Sequence, residues 1–77
     1  MISKQEACYR YIRDRILSGE WSPGHKLPSQ STWAAEYGWK YGPMRSAYLM
    51  LKAEGLIQGQ QGDGVFVREH KYWLVSE

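Results

Sequence analysis

Cysteine is almost missing from this chain, because Cys8 is the single one among its 77 residues. One thiol excludes an internal disulfide framework, and without further cysteines or histidines spaced near it a zinc site is not expected. We therefore predict no metal and no cofactor, and we assign Cys8 to core packing.

Long apolar runs are also missing. No segment approaches the roughly 20 apolar residues of a membrane-spanning helix. The first eight residues mix charged and apolar side chains, whereas a secretion signal places an apolar stretch after a basic start. These features predict one small cytoplasmic domain with no membrane partner.

Neither an excess of one charge nor a catalytic pattern is present. Ten Lys and Arg against eight Asp and Glu give a net charge of +2, which is compatible with DNA but does not argue for it. His25 and His70 lack a neighbouring nucleophile or carboxylate pattern. Gly59, Gly62 and Gly64 lie between two strand candidates and do not open a helix, as a phosphate loop would. We predict that the chain is not an enzyme.

Apolar residues at spacings of three and four predict three helices, over about residues 4–18, 30–37 and 41–54. Each helix buries one face. The predicted core positions are Cys8, Tyr11, Ile12 and Ile16, then Trp33, Ala34 and Tyr37, then Met44, Ala47, Tyr48 and Leu51.

The second and third helices form a predicted helix-turn-helix. Ser29 is the expected N-cap of the second helix, and Gly38 is expected to end it in the left-handed conformation. Pro43 is tolerable only in the first turn of the third helix. Ala34, four residues before Gly38, is the small residue that a close helix crossing needs. A helix-turn-helix usually means DNA binding.

A hairpin follows, with strand candidates Leu56–Gln60 and Val65–Arg68 around the Asp63-Gly64 turn signal. The predicted fold class is therefore α+β, a winged helix-turn-helix of three helices followed by a two-stranded wing. We expect the domain to cover residues 1–68.

Residues 69–77 form a predicted C-terminal tail of unknown role. Its aromatic and apolar residues, from Tyr72 to Val75, are compatible with a further strand, a partner contact or a frayed end. Trp73 has no role that the sequence reveals.

This order of elements resembles the winged N-terminal domain of the GntR family of bacterial transcription regulators, over about residues 8–68. The resemblance lies in a set of residues at matching spacing: Ile16, Gly19, Pro23-Gly24, Lys26-Leu27-Pro28-Ser29, Ala34, Gly38, Arg45, Ala47, Leu51, Glu54-Gly55-Leu56-Ile57, Gly62, Gly64 and Val67. The family's usual C-terminal effector or oligomerisation domain is not among these residues, so no small-molecule effector site is expected within this chain.

The resemblance implies DNA contacts at three places, since family members bind operators as symmetric dimers through both helix starts and the wing tip. By position, phosphate contacts fall to Ser29, Gln30 and Ser31; major-groove contacts to Lys40, Tyr41, Gly42 and Arg45; and minor-groove contacts to Gln61 and Gly62.

Four positions depart from the family pattern. Ser31 and Tyr41 stand where arginines are usual, Lys40 replaces a Ser or Thr cap, and Pro43 replaces a polar residue. Loss of two forked donors removes base or phosphate contacts worth about 1–3 kcal/mol each. These departures predict either an unusual operator or low affinity.

Several residues keep two interpretations. Arg45 either contacts DNA or is a solvated arginine or an ion-pair partner of Glu36. Tyr41 either touches DNA or covers the turn beside Trp39. Lys52 is interpreted as a solubilising charge. Gln60 and Gln61 either contact DNA or form a solvated hairpin, and Trp33 and Trp39 are expected to pack and not to stack on bases.

The sequence therefore predicts sequence-specific binding of double-stranded DNA in transcriptional regulation. The main alternative is a winged-helix protein-interaction module, favoured if the face with Ser31, Tyr41 and Gly42 is apolar and lacks positive charge. A third interpretation is a structural subunit docked through its tail. Self-association of two copies on DNA, through the segment from Tyr72 to Val75, is a further expectation.

Overall fold

The computed structural model describes residues 2–60 and 62–74. Three helices come first, and a two-stranded antiparallel hairpin and a short 3-10 helix follow. This order confirms the predicted α+β winged helix-turn-helix. The elements are α1 (Lys4–Leu17), α2 (Gln30–Tyr37), α3 (Tyr41–Ala53), β1 (Ile57–Gln60), β2 (Gly64–Val67) and the 3-10 helix His70–Tyr72.

Local signals fix the ends of α1 and α2. The Ser3 hydroxyl accepts from the Glu6 N–H at 3.1 Å and begins α1. The Ser29 hydroxyl accepts from the Thr32 N–H at 3.3 Å and begins α2, as predicted. Gly38 ends α2 at φ +68°, a backbone conformation that a Cβ disfavours. The turn to α3 is therefore short and defined.

The core lies mainly between α1 and α3. The predicted stripes are confirmed for six positions: Cys8, Ile12 and Ile16 on α1 face Met44, Ala47 and Leu51 on α3, and all six are buried. The predicted core residues Tyr11 and Tyr48 are only partly buried and pack against this core. Removing such apolar surface from water is the main stabilising contribution to a small fold. The remaining buried hydrophobic residues are Leu27, Trp33, Leu56, Ile57 and Val67.

The predicted burial of Ala34 and Tyr37 on α2 is wrong. Ala34 is exposed, and Tyr37 is 40% exposed. The helix is so short that one large side chain fills its crossing with α3: the buried Trp33 donates from its indole N–H to the Tyr48 hydroxyl at 2.9 Å. Tyr37 instead covers the outside of an aromatic cluster with Tyr11, Trp33 and Trp39.

The wing is in the register Ile57 to Val67 through Gln60 to Gly64. β1 is one residue shorter than predicted, because it begins at Ile57 and not at Leu56. β2 keeps its predicted length but lies one residue earlier, at Gly64–Val67. A loop residue adds to the sheet, because Lys26 forms an isolated antiparallel bridge with Phe66. The loop before α2 is therefore tied to the wing.

The start of the tail docks against the end of α3. The Leu74 N–H donates to the Glu54 carbonyl oxygen at 2.8 Å, and the Trp73 indole N–H donates to the Arg68 carbonyl oxygen at 2.9 Å. Trp73 also packs on the core, which gives it a structural role. Residues 70–72 form a 3-10 helix and not a strand, whereas Val75 lies outside the described residues. The domain boundary after residue 68 stays a prediction.

Candidate nucleic-acid interface

A groove of about 590 Å³ lies between the start of α2, one face of α3 and the tip of the wing. Five of the eight predicted DNA-contacting residues that the structure describes line it. They are Ser29, Gln30, Tyr41, Arg45 and Gly62. The helix-turn-helix and the wing thus form one continuous concave surface.

The start of α2 supplies the polar wall of this groove. The Ser29 hydroxyl is engaged in capping the helix. The Gln30 side-chain amide donates to the Trp39 carbonyl oxygen at 3.4 Å, and thereby links the start of α2 to the turn before α3. Ser31 is exposed but does not line the groove. The three predicted phosphate contacts therefore differ in setting, and Gln30 also holds the turn.

The start of α3 presents its side chains to solvent. Lys40, Gly42 and Arg45 are exposed, and Tyr41 is 63% exposed. Only Tyr41 and Arg45 of these four line the groove. The Lys40 side chain makes no capping hydrogen bond with α3.

Arg45 lies one residue past the buried Met44 and points away from the core. Among residues 2–60 and 62–74 the ion pairs are Arg10–Glu6, Arg15–Glu20 and Lys71–Glu69. The alternative ion pair of Arg45 with Glu36 is not formed there. Its guanidinium group is accordingly available to a ligand in the groove.

Tyr41 does not cover the turn beside Trp39. In the described part of the chain its ring pairs with no other aromatic ring, whereas Trp39 stacks on Trp33 at 5.0 Å and on Tyr37 at 4.9 Å. Trp33 and Trp39 therefore pack within the fold, as predicted. Tyr41 is left facing solvent.

The wing contributes backbone and polar groups. The turn is closed by a hydrogen bond from the Asp63 N–H to the Gln60 carbonyl oxygen at 2.9 Å. Gly62 has φ +82° and lines the groove, and Gln60 is exposed. The predicted contact Gln61 lies outside the described residues.

Tyr48, which lines the groove, joins three parts of the chain. Its hydroxyl accepts from the Trp33 indole N–H at 2.9 Å and donates to the Pro28 carbonyl oxygen at 3.3 Å. Burial raises the pKa of the Tyr48 phenol above its ordinary value, because a phenolate is poorly solvated there. Tyr48 thus positions α2, α3 and the loop that carries Lys26.

Ten of the fifteen residues that line the groove were not predicted as DNA contacts, and Lys26, Leu49 and Lys52 are three of them whose side chains are exposed. Lys52 is seven residues after Arg45, hence two turns away on the same face of α3, and that spacing was the available signal. Lys26 reaches the groove only through its pairing with Phe66 in the wing. No local pattern indicates that pairing.

The groove favours an anionic ligand. Three cations line it, Lys26, Arg45 and Lys52, against a single carboxylate, Asp63. Such a surface suits a phosphate backbone better than an apolar peptide. The described residues contain no group of His, Cys, Asp and Glu side chains able to hold a metal ion. No helix among them is long and apolar enough to cross a membrane.

Comparison with known families gives the class of the protein. Residues 4–67 match the gntR family of bacterial regulatory proteins. Since this match covers most of the chain, the protein belongs to the GntR family. The structure accordingly contains the winged helix-turn-helix domain of that family.

Individual relatives agree with this assignment. The chain is 32% identical over 76 residues to the HTH-type transcriptional regulator YdfD of Bacillus subtilis, covering 99% of this chain and 16% of YdfD. It is 38% identical over 60 residues to the histidine utilization repressor of Pseudomonas putida, covering 78% of this chain and 24% of the repressor. The chain therefore spans less than a quarter of the length of both relatives.

A solved structure shows the same architecture with DNA. The DNA-binding domain of AraR in complex with an operator superimposes with a TM-score of 0.81 at 28% identity, covering 87% of this chain and 81% of that one. The family and these relatives are transcriptional regulators, a class of proteins that are not enzymes.

Proposed function

We propose that this protein binds double-stranded DNA sequence-specifically and acts in transcriptional regulation. The observation that carries the proposal is the groove, in which the start of α3, the start of α2 and the wing tip meet around three cations and one carboxylate. Similarity to the operator-bound AraR domain supports it. We further propose a cytoplasmic location.

In this arrangement α3 enters the major groove, whose width of about 12 Å accommodates a helix with its side chains. Tyr41, Gly42 and Arg45 face the bases from its first two turns. The start of α2 lies on the phosphates, where unpaired backbone N–H groups and the helix dipole favour an anion. Gly62 brings the wing backbone to the minor groove.

Arg45 is the principal base-reading residue in this proposal. It is the single arginine that lines the groove, and a guanidinium can donate twice to one guanine. Tyr41 offers an apolar ring beside it for a thymine methyl group. The two side chains together favour a site in which guanine and thymine are close neighbours.

A test compares Arg45→Ala with Arg10→Ala, which removes an exposed arginine of α1 that pairs with Glu6. Duplexes selected from a random pool by the wild-type protein provide the specific site. We expect Arg45→Ala to lose about 1–3 kcal/mol of binding free energy at that site, with an unchanged melting midpoint, and Arg10→Ala to bind like wild type.

Equal affinity of the wild type and Arg45→Ala would contradict the role of Arg45. Wild-type binding that does not weaken as salt is raised would contradict DNA binding as a whole, because phosphate contacts release counterions.

We also propose that two copies bind one two-half-site operator, associating through the segment from Tyr72 to Val75. Each copy presents only one α3 and one wing, and two linked contacts gain from effective concentration. Sedimentation of the protein with one-half-site and two-half-site duplexes measures the stoichiometry. A tight complex of one copy on the longer duplex, with no second copy joining, would rule this out.

A further inference from the structure

Two lysine side chains lie across glycines of the wing. A Cβ atom built on Gly64 would stand 2.8 Å from Cε of Lys26, and one built on Gly59 would stand 3.6 Å from Nζ of Lys52. Each lysine therefore occupies space that a side chain on the wing would otherwise fill. The two glycines let both chains rest on the sheet.

The backbone of both lysines is held in place by secondary structure or by hydrogen bonds to it. Lys26 is bridged to Phe66 of β2, and the next N–H along the loop, that of Leu27, donates to the Val65 carbonyl oxygen at 2.8 Å. Lys52 lies in the last turn of α3, directly after the buried Leu51. Little chain entropy remains to be lost beyond that of the side chains themselves.

The two ammonium groups share the groove with Arg45 but occupy its opposite end. Arg45 and Tyr41 are at the start of α3, whereas Lys52 is at its end and Lys26 comes from the loop beside β2. Neither lysine forms an ion pair with any residue in 2–60 or 62–74. Their charge is not neutralised by these parts of the protein.

We propose that Lys26 and Lys52 bind the sugar-phosphate strand that passes between α3 and the wing, and that the lack of side chains at Gly59 and Gly64 leaves the space in which the lysines lie. The inference rests on the proposed DNA binding. A strand that separates the major groove from the adjacent minor groove must cross the space between a helix in one and a wing in the other. Contacts there carry no base information, so they set register and affinity and not sequence preference.

Salt dependence of binding tests the proposal on the full chain. Each phosphate contact contributes about 0.9 to the slope of log affinity against log salt on B-form DNA. We expect Lys26→Ala and Lys52→Ala each to lower this slope by about 0.9, and the double variant by about 1.8. The same reductions are expected on selected and random duplexes.

Lys4→Ala is the matched control, because Lys4 is an exposed lysine at the start of α1 outside the groove. It removes the same charge and should keep the wild-type slope. Wild-type slopes for Lys26→Ala and Lys52→Ala, in a protein that still binds DNA, would overturn this inference and leave the proposed function intact. A wild-type protein that binds no DNA would overturn the proposed function itself.

A second pair of variants tests the glycine. Gly59→Ala adds only a Cβ at ordinary contact distance from Lys52, whereas Gly59→Val adds methyl groups that reach into the space of the lysine. We expect Gly59→Val to lower the salt slope as Lys52→Ala does, with no added effect in the Lys52→Ala background, and Gly59→Ala to bind like wild type. An unchanged slope in folded Gly59→Val, checked by circular dichroism, would refute the role of Gly59.

Discussion

The two ends of α3 are built in opposite ways. At the C-terminal end the Tyr9 hydroxyl donates to the Glu54 carboxylate, 2.7 and 2.8 Å from its two oxygens, and the Glu54 carbonyl accepts from Leu74. Gly55 follows at φ +75°, packed so closely beneath the Tyr72 carbonyl that an added Cβ would overlap it. Burial and the neighbouring carboxylate raise the pKa of the Tyr9 phenol.

The N-terminal end has less support, although the turn before it is held by the 3.4 Å hydrogen bond from the Gln30 amide to the Trp39 carbonyl oxygen. Lys40 gives α3 no side-chain cap, and the Tyr41 side chain is mostly solvent-exposed. The first N–H groups of a helix have no partner within the helix, so here they depend on solvent or on a ligand. The contrast teaches that the fold is stabilised at the C-terminal end of α3, away from the proposed base contacts. The backbone N–H groups at the N-terminal end are left without a partner in the helix and are open to solvent or a ligand.

Among these variants, Gly55→Ala, at the C-terminal end of α3, is expected to have the largest effect on stability. We expect it to lower the free energy of unfolding by about 2–5 kcal/mol, because a left-handed backbone strain of about 1–2 kcal/mol adds to overpacking of about 1–3 kcal/mol. Urea unfolding measures the loss. Gly19→Ala is the control: it shares the positive φ, at +86°, but its Cβ would meet no atom within 4 Å. Equal losses for both would show that the Tyr72 contact does not matter.

The side-chain N-cap that α3 lacks can be introduced by substitution of Lys40. Lys40→Ser places a hydroxyl at an N-cap whose backbone is already extended, at φ −81° and ψ 163°. We expect a gain of about 1 kcal/mol in unfolding free energy, measured by the same urea titration. Lys40→Ala separates the cap from loss of the lysine, and no difference between these two variants would contradict the prediction.

The smallest effect is expected for Ala34→Leu. This substitution would be destabilising if Ala34 lay in a close crossing of α2 with α3, where a larger side chain does not fit. Because Ala34 is exposed, we expect the melting midpoint to stay unchanged and the free energy of unfolding to vary by less than about 0.5 kcal/mol. Trp33→Leu, at the buried neighbour, is the contrasting variant and should destabilise clearly. A loss at Ala34 comparable with that at Trp33 would show that Ala34 packs at the crossing of α2 with α3.

Local chemistry explains which parts the sequence predicts. Ser29, Gly38 and the Asp63-Gly64 turn act within a few residues, so their effects on α2 and the wing are visible in the chain. The failures are long-range. Burial of α2 depends on Trp33 reaching Tyr48 across the helix crossing, which spacing within α2 does not show.

The candidate site divides in the same manner. Family resemblance located Arg45 and Gly62, and the structure brings both to one groove. Lys26 reaches that groove through a bridge to a residue 40 positions later in the chain, Phe66, and Trp73 finds its partner in Arg68 only when the tail turns back on α3. Such pairings require the tertiary fold.

Docking of the tail on α3 has a mechanical consequence. The 13 residues of α3 form a helix about 20 Å long. The tail is attached to its C-terminal end by the hydrogen bond from the Leu74 N–H to the Glu54 carbonyl oxygen. A force on the tail up to Leu74 would therefore act first on the C-terminal end of α3, the end opposite the residues proposed to meet the bases.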